Sequence, residues 1–340
     1  MSKSSTAGTG KAAKSVDAPI LVTGAAGRVG GVGRVIVERL RQRNLPVRAL
    51  VRSEDERAAG LRAMGAEVVV ADVTRAGEVA QALAGCRRLY FGMSVSASYL
   101  EATVTAAAVA RERGDLEVFV NMSQMTVSQM TVSQMSLTAM TDFPQQRQHW
   151  LAEQVLNWSG LHVMHIRPMV FLQNFFFLDW AADSIARNGT IRLPFGTGRT
   201  SPIDVRDIAE VVTTILASPA AHSGKVYELT GPRSLDMPAL AAEYSSALGR
   251  TVTYVDVPLE QWRDNELRSR NFPDHVSEHL LTMAHLHAAN RYDRFTHDVE
   301  AITARLPTSV REFVARHAKR FESKSQPTKA FVESQAYVHR

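Results

Sequence analysis

The chain has 340 residues, a formal net charge of +5 and a single cysteine. That length buries a large core in one or two domains, and the lone Cys86 excludes an internal disulfide and fits a reducing, cytoplasmic compartment. The excess charge sits in residues 1–19 (+2) and 318–340 (+3) around a body with 31 basic and 31 acidic residues, which argues against a nucleic-acid groove.

Residues 1–18 are rich in Ser, Ala, Gly and Lys without an apolar period and read as a disordered leader. They lack the apolar centre of a secretory signal. Their scarcity of acidic residues suits a transit peptide, but their lack of Arg weighs against one. No apolar run is long enough to span a bilayer: the most hydrophobic stretch, 169–182, is interrupted by Gln173, Asn174 and Asp179.

The stretch from Ile20 to Leu40, ILVTGAAGRVGGVGRVIVERL, is the one around which the chain is organised. Ile20, Leu21 and Val22 read as a buried parallel strand, and Val32, Ile36 and Leu40 mark a helix. Between them lies a glycine loop, the context that a dinucleotide fingerprint requires. Gly24 turns the chain off the strand. Gly27 admits a pyrophosphate close to the backbone. Gly30 or Gly33 lets the helix approach the sheet. Ala26, Arg28 and Val29 complete the cofactor loop, and the helix N-terminus offers free N–H groups to phosphate. The competing account is a glycine-rich turn that holds no nucleotide.

Strands are expected at 47–51, 67–71, 88–92 and 116–122, with helices at 55–64, 75–83 and 98–113. This alternation predicts an α/β fold, a Rossmann-type doubly wound parallel sheet. A tandem repeat comes next, SQMTV at 123–127 and 128–132 and SQMSL at 133–137. Its unit is too short for a solenoid, so it reads as a loop lengthened at the carboxyl end of the fifth strand, where ligands of open sheets bind. A plain surface loop is the competing account.

A helix is expected from Asp142 and Pro144 to Trp158, a strand at 161–166, and helices at 171–188, 204–217 and 237–248. Strands are expected at 226–229 and 251–257, with mostly helical structure from Glu260 onward. The division expected is a leader (1–18), a nucleotide-binding core (19–168), an interleaved, mostly helical substrate lobe (169–322) and a tail (323–340).

An acidic residue at the end of the second strand would select NAD through the ribose 2′-OH. Arg52 and Ser53 stand there instead and suit a 2′-phosphate, so NADP(H) is expected in preference to NAD(H). Arg28 adds a second cation. Asp72 and Val73 end the third strand under the adenine edge. Gly92, Met93 and Ser94 end the fourth, near the ribose and pyrophosphate, and Met122 and Ser123 end the fifth, on the nicotinamide side. An ordinary exposed strand-end Arg is the alternative for Arg52.

The segments VTGAAGRVGGVGRVIVERL, VRALVR, HWLAEQVLNWSGLHVMHIRPMVFLQNFF, PIDVRDIAEVV and YELTGP resemble the NmrA-like group of atypical short-chain dehydrogenases over residues 19–320. The resemblance implies one of two functions. One is an NADPH-dependent reductase of quinones, azo or triphenylmethane dyes, or isoflavone-type substrates. The other is a regulator that senses the nucleotide and acts through a protein partner.

A standard short-chain dehydrogenase carries Tyr-x-x-x-Lys on the helix at 144–158. Here Gln145 takes the Tyr position and His149 the Lys position, one helical turn apart. Gln145 cannot donate a proton as Tyr does. His149, with an unperturbed pKa near neutrality, is the catalytic candidate by similarity to the quinone reductases of the family. Ordering of the ribose is the alternative role for His149. The departure favours an acceptor that needs little acid help, a quinone or an azo compound. Phe171, Asn174 and Phe175, with Phe176 and Phe177, offer an aromatic wall for a small, flat, conjugated substrate; a core role competes for some of these rings. His275, Glu278 and His279 match HxxEH, a zinc pattern set aside for want of a third ligand, and no metal is expected. Trp262, Phe272, Met283 and Tyr292 are expected to pack the C-terminal lobe. No membrane or nucleic-acid partner is expected, and a monomer or homodimer is.

Overall fold

The computed structural model describes residues 18–27, 31–127 and 143–322. Residues 1–17 of the leader, the tail, Arg28, Val29, Gly30, the repeat from residue 128 onward and Asp142 lie outside the described residues.

The first half alternates strand and helix: β1 (Ile20–Val22), α1 (Val32–Gln42), β2 (Val47–Val51), α2 (Glu56–Ala63), β3 (Glu67–Val70), α3 (Ala76–Leu83), β4 (Arg88–Phe91), α4 (Tyr99–Arg113) and β5 (Val118–Met122). Then come α5 (Pro144–Trp158), β6 (Val163–Pro168), α6 (Ala181–Asn188), β7 (Thr190–Leu193), β8 (Arg199–Thr200), α7 (Val205–Ala217) and β9 (Val226–Leu229). The chain finishes through β10 (Leu235–Asp236), α8 (Met237–Leu248), β11 (Thr253–Asp256), α9 (Leu259–Trp262), α10 (Asp274–Ala288), α11 (Asp298–Thr303) and α12 (Val310–Arg316).

Seven strands form one parallel sheet in the order β3-β2-β1-β4-β5-β6-β9. Central strands are mostly apolar because helices cover both faces: every residue of β1, β4 and β5 is buried, Arg88 and Asn121 included. Successive residues serve opposite faces. Ile20 and Val22 join one apolar cluster and Leu21 the other. At the edge, β3 leaves Val70 53% exposed. The order reverses between β1 and β4, and that switch opens a crevice at the carboxyl ends of the strands.

α1 buries Val32, Ile36, Val37 and Leu40 and packs on α7. Arg39 and Arg43 both reach Glu210 of α7, at 2.5 and 2.6 Å. The segment between β6 and β9 thus leaves the sheet and returns to it. The larger apolar cluster runs from Ile20 to Phe321, so the C-terminal residues share the core of the sheet.

Three short strands escape the sequence reading: β7, β8 and β10. β7 pairs with β11 in parallel and β8 with β10 antiparallel. β8 and β10 hold two residues each, too few for an alternating pattern, and all three owe their existence to a partner distant in the chain. The helix expected at 171–188 also differs. Phe171 forms an isolated bridge with Ile203, and Asn174 accepts a hydrogen bond from the Phe176 N–H at 3.1 Å. A wide π turn then spans Phe175–Trp180 before α6 begins. β6 begins at Val163, two residues after its expected start, and runs to Pro168.

Candidate functional site

The glycine loop is shaped by close approach. Gly24 has φ +65°, and a Cβ there would lie 2.5 Å from the Gly92 carbonyl oxygen. The Thr23 hydroxyl donates to that oxygen at 2.9 Å and accepts from the Gly92 N–H at 2.9 Å, locking the ends of β1 and β4 together. A Cβ on Gly33 would meet the Gly24 carbonyl oxygen at 2.7 Å, so Gly33 supplies the close helix packing. Gly27 lies beside Ser94, whose Oγ would be 3.8 Å from such a Cβ. Gly31, which sequence reasoning passed over, caps α1 at φ +65° and leaves its N-terminus without a side-chain cap.

Arg57 also escaped attention. Asp55 caps α2 by accepting the Arg57 N–H at 2.9 Å, and its other oxygen binds the Arg57 guanidinium, with Nε at 2.9 Å. Arg57 Nη1 then donates to the Ala26 carbonyl at 2.7 Å. The glycine loop is therefore tied to the start of α2. The available signal was a helix-capping Asp followed two residues on by Arg.

Arg52 and Ser53 are exposed just past β2, and the positive field of Arg52 reaches Asp72 at the end of β3. Asp72 accepts from the Thr74 N–H at 2.9 Å and hydroxyl at 2.7 Å, bonds that hold its carboxyl below the usual range. Its oxygen Oδ1 is thus engaged in a turn. Val73 and Met93 pack at the margin of the smaller apolar cluster. Met122 accepts from the Tyr99 hydroxyl at 3.2 Å, and the Ser123 N–H donates to Ile166 at 2.8 Å. The Ser123 hydroxyl is buried with no partner.

Gln145 and His149 share the buried face of α5. His149 is 9% exposed and its ring lies on that of Tyr99, centroids 4.0 Å apart. Burial, helped by His279, pushes its pKa down to about 3, so the expectation of a titration near neutrality is corrected. Desolvation makes the imidazolium too costly, and the ring is a neutral imidazole at pH 7. Gln145 Nε2, both polar atoms of the Gln146 amide and His149 Nδ1 are buried without partners. Further along α5, Glu153 is buried and binds Arg167 of β6 at 3.0 and 2.5 Å.

Phe175 and Phe171 are half-buried, whereas Phe176 and Phe177 are wholly buried core. Phe175 lies 4.8 Å from the Phe272 ring. Asn174 Oδ1 is engaged in capping the π turn. Trp262, Met283 and Tyr292 are buried in the larger cluster and Phe272 packs against it. His275 and Glu278 face solvent, while His279 turns inward toward α5. Among the described residues no group of three His, Cys, Asp or Glu could hold a metal ion. No helix among them is long and apolar enough to cross a membrane.

A narrow cradle that a Cβ would fill, an uncapped helix N-terminus and unpartnered polar groups past β5 fit a dinucleotide lying across the switch point. Fold and cradle together define a Rossmann-type nucleotide-binding protein. The chain belongs to the NmrA-like family, whose model matches residues 17–314. It is 28% identical to an NAD(P)H azoreductase of Xenophilus azovorans, over 87% of this chain and 97% of that protein. Its fold matches an NADPH-dependent quinone oxidoreductase of Escherichia coli complexed with NADPH, with TM-score 0.74, 21% identity, and coverage of 88% of this chain and 99% of that one. A triphenylmethane reductase of Citrobacter sp. complexed with NADP(H) matches with TM-score 0.73 and 19% identity, over 88% and 99% of the two chains.

Proposed function

We propose that this chain is an NAD(P)H-dependent reductase that passes hydride to quinone-like, azo or other conjugated acceptors and prefers NADPH to NADH. The observation that carries the reading is the set of buried, unpartnered groups past β5 and on α5: Ser123 Oγ, Gln145 Nε2 and His149 Nδ1. Leaving such groups without hydrogen bonds costs free energy that a bound ligand offsets. The family and the activities of the similar proteins support the same reading.

A bound reduced nicotinamide supplies the hydride, so the chain has only to hold, orient and exclude water. The backbone at Gly24, Ala26 and Gly27, with Arg28, Val29 and Gly30, receives the pyrophosphate, and Gly33 lets α1 pack close to that loop. Arg52 and Ser53 receive the 2′-phosphate, with Asp72 and Val73 on the adenine side. Gly92, Met93 and Ser94 border the ribose, and Met122 and Ser123 the nicotinamide. Gln145 and neutral His149 orient the acceptor by hydrogen bonds, and Phe171, Asn174 and Phe175 border it. The cytoplasm is the proposed compartment.

Titration with NADPH, NADP+, NADH and NAD+, followed by quinones and azo dyes added to the NADPH complex, tests this. Tight NADPH binding with turnover is expected. Tight binding without turnover of any acceptor would sink the reductase reading and favour a nucleotide-sensing regulator.

A further inference from the structure

The HxxEH pattern on α10 leaves one residue that zinc chemistry does not explain. His275 and Glu278 face solvent, and His279 alone turns inward. α10 packs on α5, with the Phe143 ring at the start of α5 lying 6.4 Å from that of His285. His279 is near enough to His149 for its charge to act on it. Six residues forward from Phe143 to His149 match six back from His285 to His279, the spacing of antiparallel helices. Nδ1 of each imidazole is buried and finds no partner.

We propose that His279 is the second half of an imidazole pair that, with His149, hydrogen-bonds the oxygen or nitrogen of the acceptor where negative charge develops. The inference rests on the reductase reading and adds to it a substrate-contacting residue from the C-terminal lobe. Two neutral donors fixed on packed helices stabilise that charge without the cost of burying a cation. The acceptor gains two electrons and one proton as the hydride, and its second proton comes from solvent.

The test uses the full chain with NADPH and 1,4-naphthoquinone. His279→Ala is expected to lower kcat/KM for the quinone by about tenfold or more, the effect of removing one donor to a developing charge. The Kd for NADPH should stay within about twofold, because such a change is under half a kcal/mol in binding. His279→Asn places an amide N–H near the former Nδ1 and should restore most of the rate. The His149→Ala, His279→Ala double variant should lose less than the product of the single losses. An alanine variant that binds NADPH and keeps full kcat/KM overturns the pair while leaving the reductase reading intact. If the alanine variant fails to bind NADPH, the asparagine variant decides: binding without recovered turnover overturns the pair. A wild-type protein that turns over no acceptor overturns both.

Discussion

Tyr99 lies against His149 with ring centroids 4.0 Å apart and planes tilted by 39°. The Tyr99 hydroxyl donates to the Met122 carbonyl at 3.2 Å, so one side chain of α4 both supports the imidazole on α5 and fastens the end of β5. Tyr99 is wholly buried, and burial drives its phenol pKa far up, which makes it a support and not an acid. Tyr99→Phe should keep the stacking and lose about 1 kcal/mol of stability with the hydrogen bond. Tyr99→Ala should cost about 3–5 kcal/mol through the cavity it leaves. Urea denaturation measures both, and equal losses in the two variants would contradict the assignment.

Acid should unfold the protein. His149, His279 and His287 are held by burial at pKa values of about 3, 4 and 3. In the unfolded chain each takes up its proton near pH 6.5. The stabilisation is therefore complete above pH 6.5 and is lost as pH falls toward the folded values. Three protons taken up together steepen the fall to about 4 kcal/mol per pH unit below pH 6. Denaturation midpoints compared at about pH 7.5 and about pH 5 check this. A flat profile would contradict it.

The two arginines past β2 should separate in nucleotide binding. Arg57 holds the Ala26 carbonyl, whereas Arg52 is exposed at the strand end. Arg57→Ala frees the loop, so it should weaken NADPH and NADH alike, by about tenfold for one lost charge-assisted bond. Arg52→Ala should weaken NADPH only and reduce the preference between the two. Calorimetric titration of both variants with both nucleotides distinguishes these outcomes.

Gly24→Ala combines a left-handed backbone with a Cβ 2.5 Å from the Gly92 carbonyl oxygen. Strain of about 1–2 kcal/mol adds to the displacement of β4's end. NADPH binding should be abolished in a protein with a lowered Tm. Gly77→Ala, where a Cβ meets nothing within 4 Å, should leave binding intact and serves as the control.

Glu153→Gln removes a carboxylate from a buried pair with Arg167, whose other acidic neighbour, Glu228, stands 3.6 Å away and also binds Arg294. Breaking a buried pair costs about 3–5 kcal/mol. Guanidinium denaturation should show that loss, and an unchanged midpoint would assign the arginine's support to Glu228.

Much of this protein is legible in its sequence. Mostly apolar runs bounded by glycine and charge mark the strands of the main sheet, because a central strand covered on both faces buries all of its side chains. The order strand, glycine turn, helix near the N-terminus marks the cradle at Gly24 and Gly27 in the same local way. Tertiary structure alone decided the rest. β7, β8 and β10 exist through pairing with distant strands, and Arg57 reaches Ala26 across the gap between β1 and α2. The sequence names His149 as an imidazole on a helix; only the surrounding Tyr99, α10 and His279 make it neutral. Local pattern specifies which elements form, since backbone and burial periodicity are properties of consecutive residues. Charge state and contact belong to the space between elements, where neighbours far apart in the chain set the dielectric and the partners.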